Sequence, residues 1–151
     1  MENFGSRPKT SLVHEHEVIR AQFRLLILSL GDLAHQLAAA PNQSGGPLDE
    51  IQGYCWKMHD LQDGLNEHIE LDERIVMQLQ LGSPADRLLE EHVTIRRRVD
   101  QAVQLAESAK SNVRDQKTLD NFRFELSREL ATIRELIEKH TDAEDRLFRS
   151  G

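Results

Sequence analysis

Apolar residues recur at helical spacing along almost the entire chain, and in each of four segments a histidine stands inside the apolar stripe. A period of i, i+3, i+4, i+7 specifies an amphipathic helix and excludes the alternation of a strand. In the first segment the stripe is Leu12, His16, Ile19, Phe23, Leu26, Leu30, Leu33 and Leu37. In the second it is Ile51, Met58, Leu61, Leu65, His68, Asp72, Ile75 and Leu79. The third carries Leu88, Leu89, His92, Ile95, Val99, Val103 and Ala106, and the fourth Phe122, Leu126, Leu130, Ile133, Ile137, His140, Glu144 and Leu147.

The breaks between these segments are short. Pro41 to Pro47 combines proline, glycine, serine and asparagine and is predicted to be a loop. Gly82-Ser83-Pro84 is a tight break in which Ser83 is expected as N-cap and Pro84 as the first helical residue. The pattern fades over Ser108 to Lys117, where the third connection is placed. Helix 2 is therefore expected over about 48–79, helix 3 from about 84, and helix 4 over about 115–148. Residues 1–10 carry no period and are expected to form a disordered tail, with Thr10 or Ser11 capping helix 1. Residues 11–150 then form one all-α domain, an up-down-up-down four-helix bundle, the arrangement that buries four stripes with short connections.

The halves of the chain repeat each other. His16-Glu17-Val18-Ile19-Arg20 aligns with His92-Val93-Thr94-Ile95-Arg96, and each histidine follows a glutamate, Glu15 or Glu91. His68-Ile69-Glu70-Leu71-Asp72-Glu73-Arg74-Ile75 aligns with His140-Thr141-Asp142-Ala143-Glu144-Asp145-Arg146-Leu147. One helical hairpin has been duplicated. In an up-down-up-down bundle the starts of helices 1 and 3 share an end with the finishes of helices 2 and 4, so the four stripe histidines gather at one end. By these boundaries His92 and His140 lie level, His16 is shallower and His68 deeper.

A carboxylate four residues after a histidine lies one turn along the same helix face, so His68 with Asp72, and His140 with Glu144, can each offer nitrogen and oxygen to one ion. Charged carboxylates in an apolar layer need compensation, and a cation held by imidazoles and carboxylates supplies it. The set His16, His68, Asp72, His92, His140 and Glu144 therefore reads as a metal site. A single histidine on such a face is explained by ordinary core packing; six such residues in one layer are not.

In this order the residues resemble the hemerythrin family, whose cation-binding domains carry a helix-1 histidine, a helix-2 His-x-x-x-Glu, a helix-3 histidine and a helix-4 His-x-x-x-Glu or His-x-x-x-x-Asp. The resemblance runs from about Leu12 to Phe148. It implies two non-haem irons bridged by Asp72 and Glu144, with zinc as the alternative ion, and a small ligand such as oxygen or nitric oxide. Oxygen-carrying members have a second helix-3 histidine one turn before the first, where this chain has Leu88, and the helix-2 acid is Asp72 instead of glutamate. In helix 4 both Glu144 and Asp145 stand at positions that bind in one member or another, with Glu144 nearer the centre of the stripe. The resemblance implies a protein that binds or senses oxygen, nitric oxide or iron. A di-iron redox enzyme acting on peroxide, oxygen or nitric oxide is the first alternative. A bundle with one zinc or no metal, used for protein contacts, is the second.

Other residues narrow the function. Nineteen basic against 26 acidic residues leave a net charge of −7, which excludes a large positive field for nucleic acid. The most apolar window, Phe23 to Leu30, is far shorter than the roughly 20 residues of a membrane span. A single cysteine, Cys55, and the absence of a leader-like start favour the cytoplasm. His14, His35 and His59 fall off the stripes and are expected on the surface. Glu15 and Glu91 are candidates to support ligands, and Arg20 and Arg96 to hold acids of a neighbouring helix.

Overall fold

In the computed structural model, residues 9–39, 46–78 and 82–150 are described, and they form four helices with no strand among them. The helices are α1 (Lys9–Ala39), α2 (Gly46–Gln78), α3 (Ser83–Asn112) and α4 (Gln116–Ser150). Helix α1 packs on α2 and α4, and α3 packs on the same two, so α1 faces α3 and α2 faces α4 across the diagonals. This is the expected all-α four-helix bundle. None of these helices is long and apolar enough to cross a membrane.

The core follows the apolar periods. Leu30, Leu33 and Leu37 of α1 meet Ile51, Met58, Leu61 and Leu65 of α2, Ile95, Val99 and Val103 of α3, and Leu126, Leu130, Ile133 and Ile137 of α4. In α2 the centre of the stripe passes through Ile69, which is fully buried, and His68 stands half-buried beside it. Both Ile69 and His68 stand at helical spacing between Leu65 and Asp72, and the packing of the bundle turns Ile69 inward. The side chains of Leu12, His16, Ile19 and Phe23 lie outside the described residues, as does Leu79.

The helix ends depart from expectation in three places. Helix α1 already includes Lys9, Thr10 and Ser11, so neither Thr10 nor Ser11 is its cap; residues 1–8 of the expected tail lie outside the described residues. The N-cap of α3 is Gly82, with φ 73°, and Ser83 is the first helical residue. Glycine is favoured there because it enters the left-handed region without a Cβ clash. The third connection is only residues 113–115, because Ala109, which is buried, extends the packed face of α3 beyond its last large apolar residue.

Asp115 then caps α4. Its Oδ1 accepts from the Thr118 backbone N–H at 2.8 Å, and Thr118 Oγ1 accepts from the Asp115 N–H at 3.1 Å. This reciprocal pair satisfies donors that the first helical turn leaves unpaired.

The far end of the bundle carries its own polar contact. Arg123 of α4 donates to both carboxylate oxygens of Glu50 of α2, at 2.7 Å from Nε and 2.5 Å from Nη2. Both side chains are buried, and the fork closes the diagonal between the starts of two parallel helices. Cys55 packs nearby in α2, its thiol donating to the Ala106 carbonyl at 3.1 Å.

Candidate metal centre

Four polar side chains converge where α2 and α4 end and α3 begins: Asp72, His92, His140 and Glu144. All four are buried, and their ligand-capable atoms lie within 4.8 Å of one another, a group that could hold a metal ion. Each belongs to the apolar stripe of its helix, which is why the bundle turns it inward.

The distances show how the group is organised. His92 Nε2 and His140 Nε2 face each other at 2.8 Å, with their rings tilted by 59°. Asp72 Oδ2 lies 3.0 Å from His92 Nε2 and 3.6 Å from His140 Nε2. Glu144 Oε1 lies 2.5 Å from His140 Nε2 and 3.7 Å from His92 Nε2. Each carboxylate oxygen thus lies within 3.7 Å of both imidazoles, and Asp72 meets His140 across the α2–α4 diagonal.

The opposite ring nitrogens are also engaged. His92 Nδ1 lies 3.1 Å from Glu73 Oε1, and His140 Nδ1 lies 2.9 Å from Glu91 Oε1. A carboxylate accepts and does not donate, and one faces each nitrogen of both rings, so an imidazolium donates at both nitrogens and a neutral ring at one of them. A neutral ring that keeps its proton on Nδ1 presents Nε2 as a bare lone pair.

One imidazolium beside one neutral ring can share a proton between the two Nε2 atoms, whereas two rings in the same protonation state conflict. With neutral rings, two nitrogen lone pairs and the carboxylate oxygens point at one another in a buried space. With protonated rings, the Nε2–H groups donate to Asp72 and Glu144 but oppose each other at 2.8 Å. A cation at the convergence removes both conflicts, and two imidazoles with two carboxylates are a donor set that iron and zinc accept.

Charge follows the same logic. Burial alone pulls the His140 imidazolium down, but hydrogen bonds to Asp72 and Glu144, with the Glu144 charge, overcome this and hold it up at about 10. His92 is likewise raised against its burial, by Asp72 and Glu144. The carboxylates bind positive charge here, whether as protons or as a metal.

No family model, no curated protein and no solved structure matches the chain. The reading of the centre rests on its own residues.

Of the six residues singled out in the sequence, four form this group. His68 lies one turn before Asp72, half-buried, and is not among the four; burial lowers its pKa, with the Glu67 charge acting against that. The side chain of His16 lies outside the described residues, as does that of Glu15. Leu88 is buried one turn before His92. His14, His35 and His59 are exposed, and His59 pairs on the surface with Glu107 at 2.9 Å.

Both arginines of the repeat hold acids of a neighbouring helix. Arg20 Nη1 lies 2.9 Å from Asp145 Oδ1, and Arg96 Nη1 lies 3.8 Å from Glu73 Oε1. Asp145 is therefore turned toward α1, while Glu144 enters the buried group. Glu73 was not singled out in the sequence; the available signal was its place beside Asp72 in the repeated acid doublet.

Proposed function

We propose that the chain is a hemerythrin-like non-haem di-iron protein that binds or senses oxygen, nitric oxide or iron. The observation that carries this reading is that Asp72 and Glu144 each place one oxygen within 3.7 Å of both Nε2 atoms, a buried set of two imidazoles and two carboxylates that could hold a metal ion. The duplicated hairpin supports a second ion. His92 and His140 come from its second copy, and the counterparts in the first copy are His16 and His68. In this reading His92 and His140 serve one iron, His16 and His68 the other, and Asp72 and Glu144 bridge.

Bound iron would supply the redox-active Lewis-acid centre that engages the small ligand. The chain's own residues orient the imidazoles, exclude bulk water through the surrounding isoleucines and leucines, and neutralise the charge. The buried free Cys55 is compatible with a reducing, cytoplasmic setting.

Leu88 favours a second reading, a redox enzyme acting on peroxide, oxygen or nitric oxide, because an apolar side chain there leaves one ligand fewer than in an oxygen carrier. The same four donors also match zinc.

The deciding experiment is metal analysis of anaerobically purified protein, with visible spectra before and after oxygen, peroxide or nitric oxide. Reversible oxygen bands favour a carrier or sensor, and steady turnover favours the enzyme. Less than about one iron per chain after anaerobic ferrous reconstitution would sink the di-iron proposal.

A further inference from the structure

Two carboxylates touch the backs of the buried imidazoles without belonging to the converging group. Glu73 of α2 meets His92 of α3, and Glu91 of α3 meets His140 of α4. Each acid is the immediate sequence neighbour of a member of the group, Asp72 in one case and His92 in the other. Adjacent helical residues are turned by roughly 100°, so one of each pair faces the core while the next reaches the adjoining helix. Each helix thus offers a donor inward and orients a donor of its neighbour.

We propose that Glu73 and Glu91 are positioning residues that hold His92 and His140 in the Nδ1–H tautomer and thereby set the metal affinity of both Nε2 atoms. This inference rests on the metal-binding reading above, though not on the identity or number of the ions. Three observations carry it. Both Nδ1 contacts are of hydrogen-bond length and go to acceptors. Both rings are buried, Asp72 and Glu144 face their Nε2 atoms, and Glu73 and Glu91 are the acceptors at their Nδ1 atoms. Arg96 Nη1 lies 3.8 Å from the same Glu73 oxygen that meets His92 Nδ1.

The repeat extends the pattern to α4. Asp145 follows Glu144 as Glu73 follows Asp72, and it holds Arg20 as Glu73 holds Arg96. The doublets are divided alike: the first acid turns inward and the second turns to the adjacent helix.

The acceptor acts on affinity because a ring that binds metal through Nε2 keeps its remaining proton on Nδ1, where Glu73 or Glu91 accepts it. A hydrogen bond at Nδ1 also raises the basicity of the ligating nitrogen, and losing such a partner typically weakens metal binding about 10–100-fold. The side chains of Glu73 and Glu91 are 29% and 32% exposed, so water can solvate the space each vacates and the bundle tolerates their replacement.

The test uses zinc, a diamagnetic probe, with the full-length chain. Zinc affinity is measured by chelator competition for wild type, Glu73→Ala, Glu91→Ala, Glu73→Gln and Glu91→Gln, and nitrogen-15 spectra of the histidine rings report the tautomers. The alanine variants are expected to lose about 10–100-fold in affinity and their ordered Nδ1–H signals. The glutamine variants, whose amide oxygen still accepts, recover part of both.

Unchanged zinc affinity in both alanine variants overturns the inference, as does weaker binding with the Nδ1–H signals intact. A wild-type chain that binds neither zinc nor iron overturns this inference and the metal-binding reading together. A wild-type chain that binds zinc with the expected variant pattern, yet takes up less than about one iron, removes the di-iron proposal alone.

Discussion

His92 and His140 present their Nε2 atoms to each other at 2.8 Å inside a layer that also holds two buried carboxylates. Without metal, protons carry the positive charge that Asp72 and Glu144 attract, and His140 holds its proton to about 10 against an ordinary 6.5. A group whose folded pKa is raised contributes stability that is fully present below its unfolded value and disappears as pH climbs through the folded one. The metal-free protein should therefore lose stability progressively from pH 6.5 to about 10, as followed by chemical denaturation. Metal affinity should rise across the same window, because binding displaces those protons. A metal-free stability that is flat or rising between these limits would contradict the assignment.

Glu144 and Asp145 are adjacent, yet only Glu144 is buried in the group, while Asp145 pairs with Arg20 at 2.9 Å. Glu144→Ala should abolish metal binding. Asp145→Ala should weaken it by about tenfold or less, the scale of an outer contact. His59→Ala, which touches only the surface, should leave metal content unchanged. Inductively coupled plasma analysis of the three variants checks the order, and a metal-free Asp145→Ala beside a metal-bound Glu144→Ala would reverse the assignment.

The Glu50–Arg123 fork yields a prediction independent of metal. Both groups are buried, at 5% and 8% exposure, and each satisfies the other across the α2–α4 diagonal. Removing one partner strands a buried charge, so Arg123→Ala should cost about 3–5 kcal/mol of folding free energy. Replacing both with apolar residues, as in Glu50→Leu with Arg123→Met, should cost much less, since no unpaired charge remains. Denaturant melts of the two variants separate this from a simple loss of packing.

The fold was legible because apolar periods in α2, α3 and α4 run for many turns, and the bundle keeps them. Asp72, His92, His140 and Glu144 were legible for the same reason: polar residues on an apolar stripe must face the core. What the stripe cannot reveal is a contact made by a residue beside it. Glu73 sits off the stripe of α2, and its partner is on α3, so only the assembled bundle brings it to His92. Glu50 and Arg123 lie in different halves of the chain and in no repeated motif, so their pairing has no local signal. The α3–α4 boundary was blurred because small Ala109 holds the packed face where larger apolar residues stop.

Variants in the first copy of the hairpin test the number of ions. The converging group uses both histidines of the second copy, His92 and His140, and one acid from each copy, Asp72 and Glu144. If the repeat is functional, His16 and His68 complete a second, related half-site around the same two acids. His16→Ala or His68→Ala should then lower iron from about two to about one per chain, while His92→Ala or His140→Ala destroys the other half. His68→Ala is the more telling variant, since His68 is half-buried one turn from Asp72 without joining the group of four. Iron content and spectra of the reconstituted variants distinguish the cases. Unchanged iron content in both first-copy variants would mean that only the His92–His140 half binds metal, and the duplicated histidines would be a relic of the repeat.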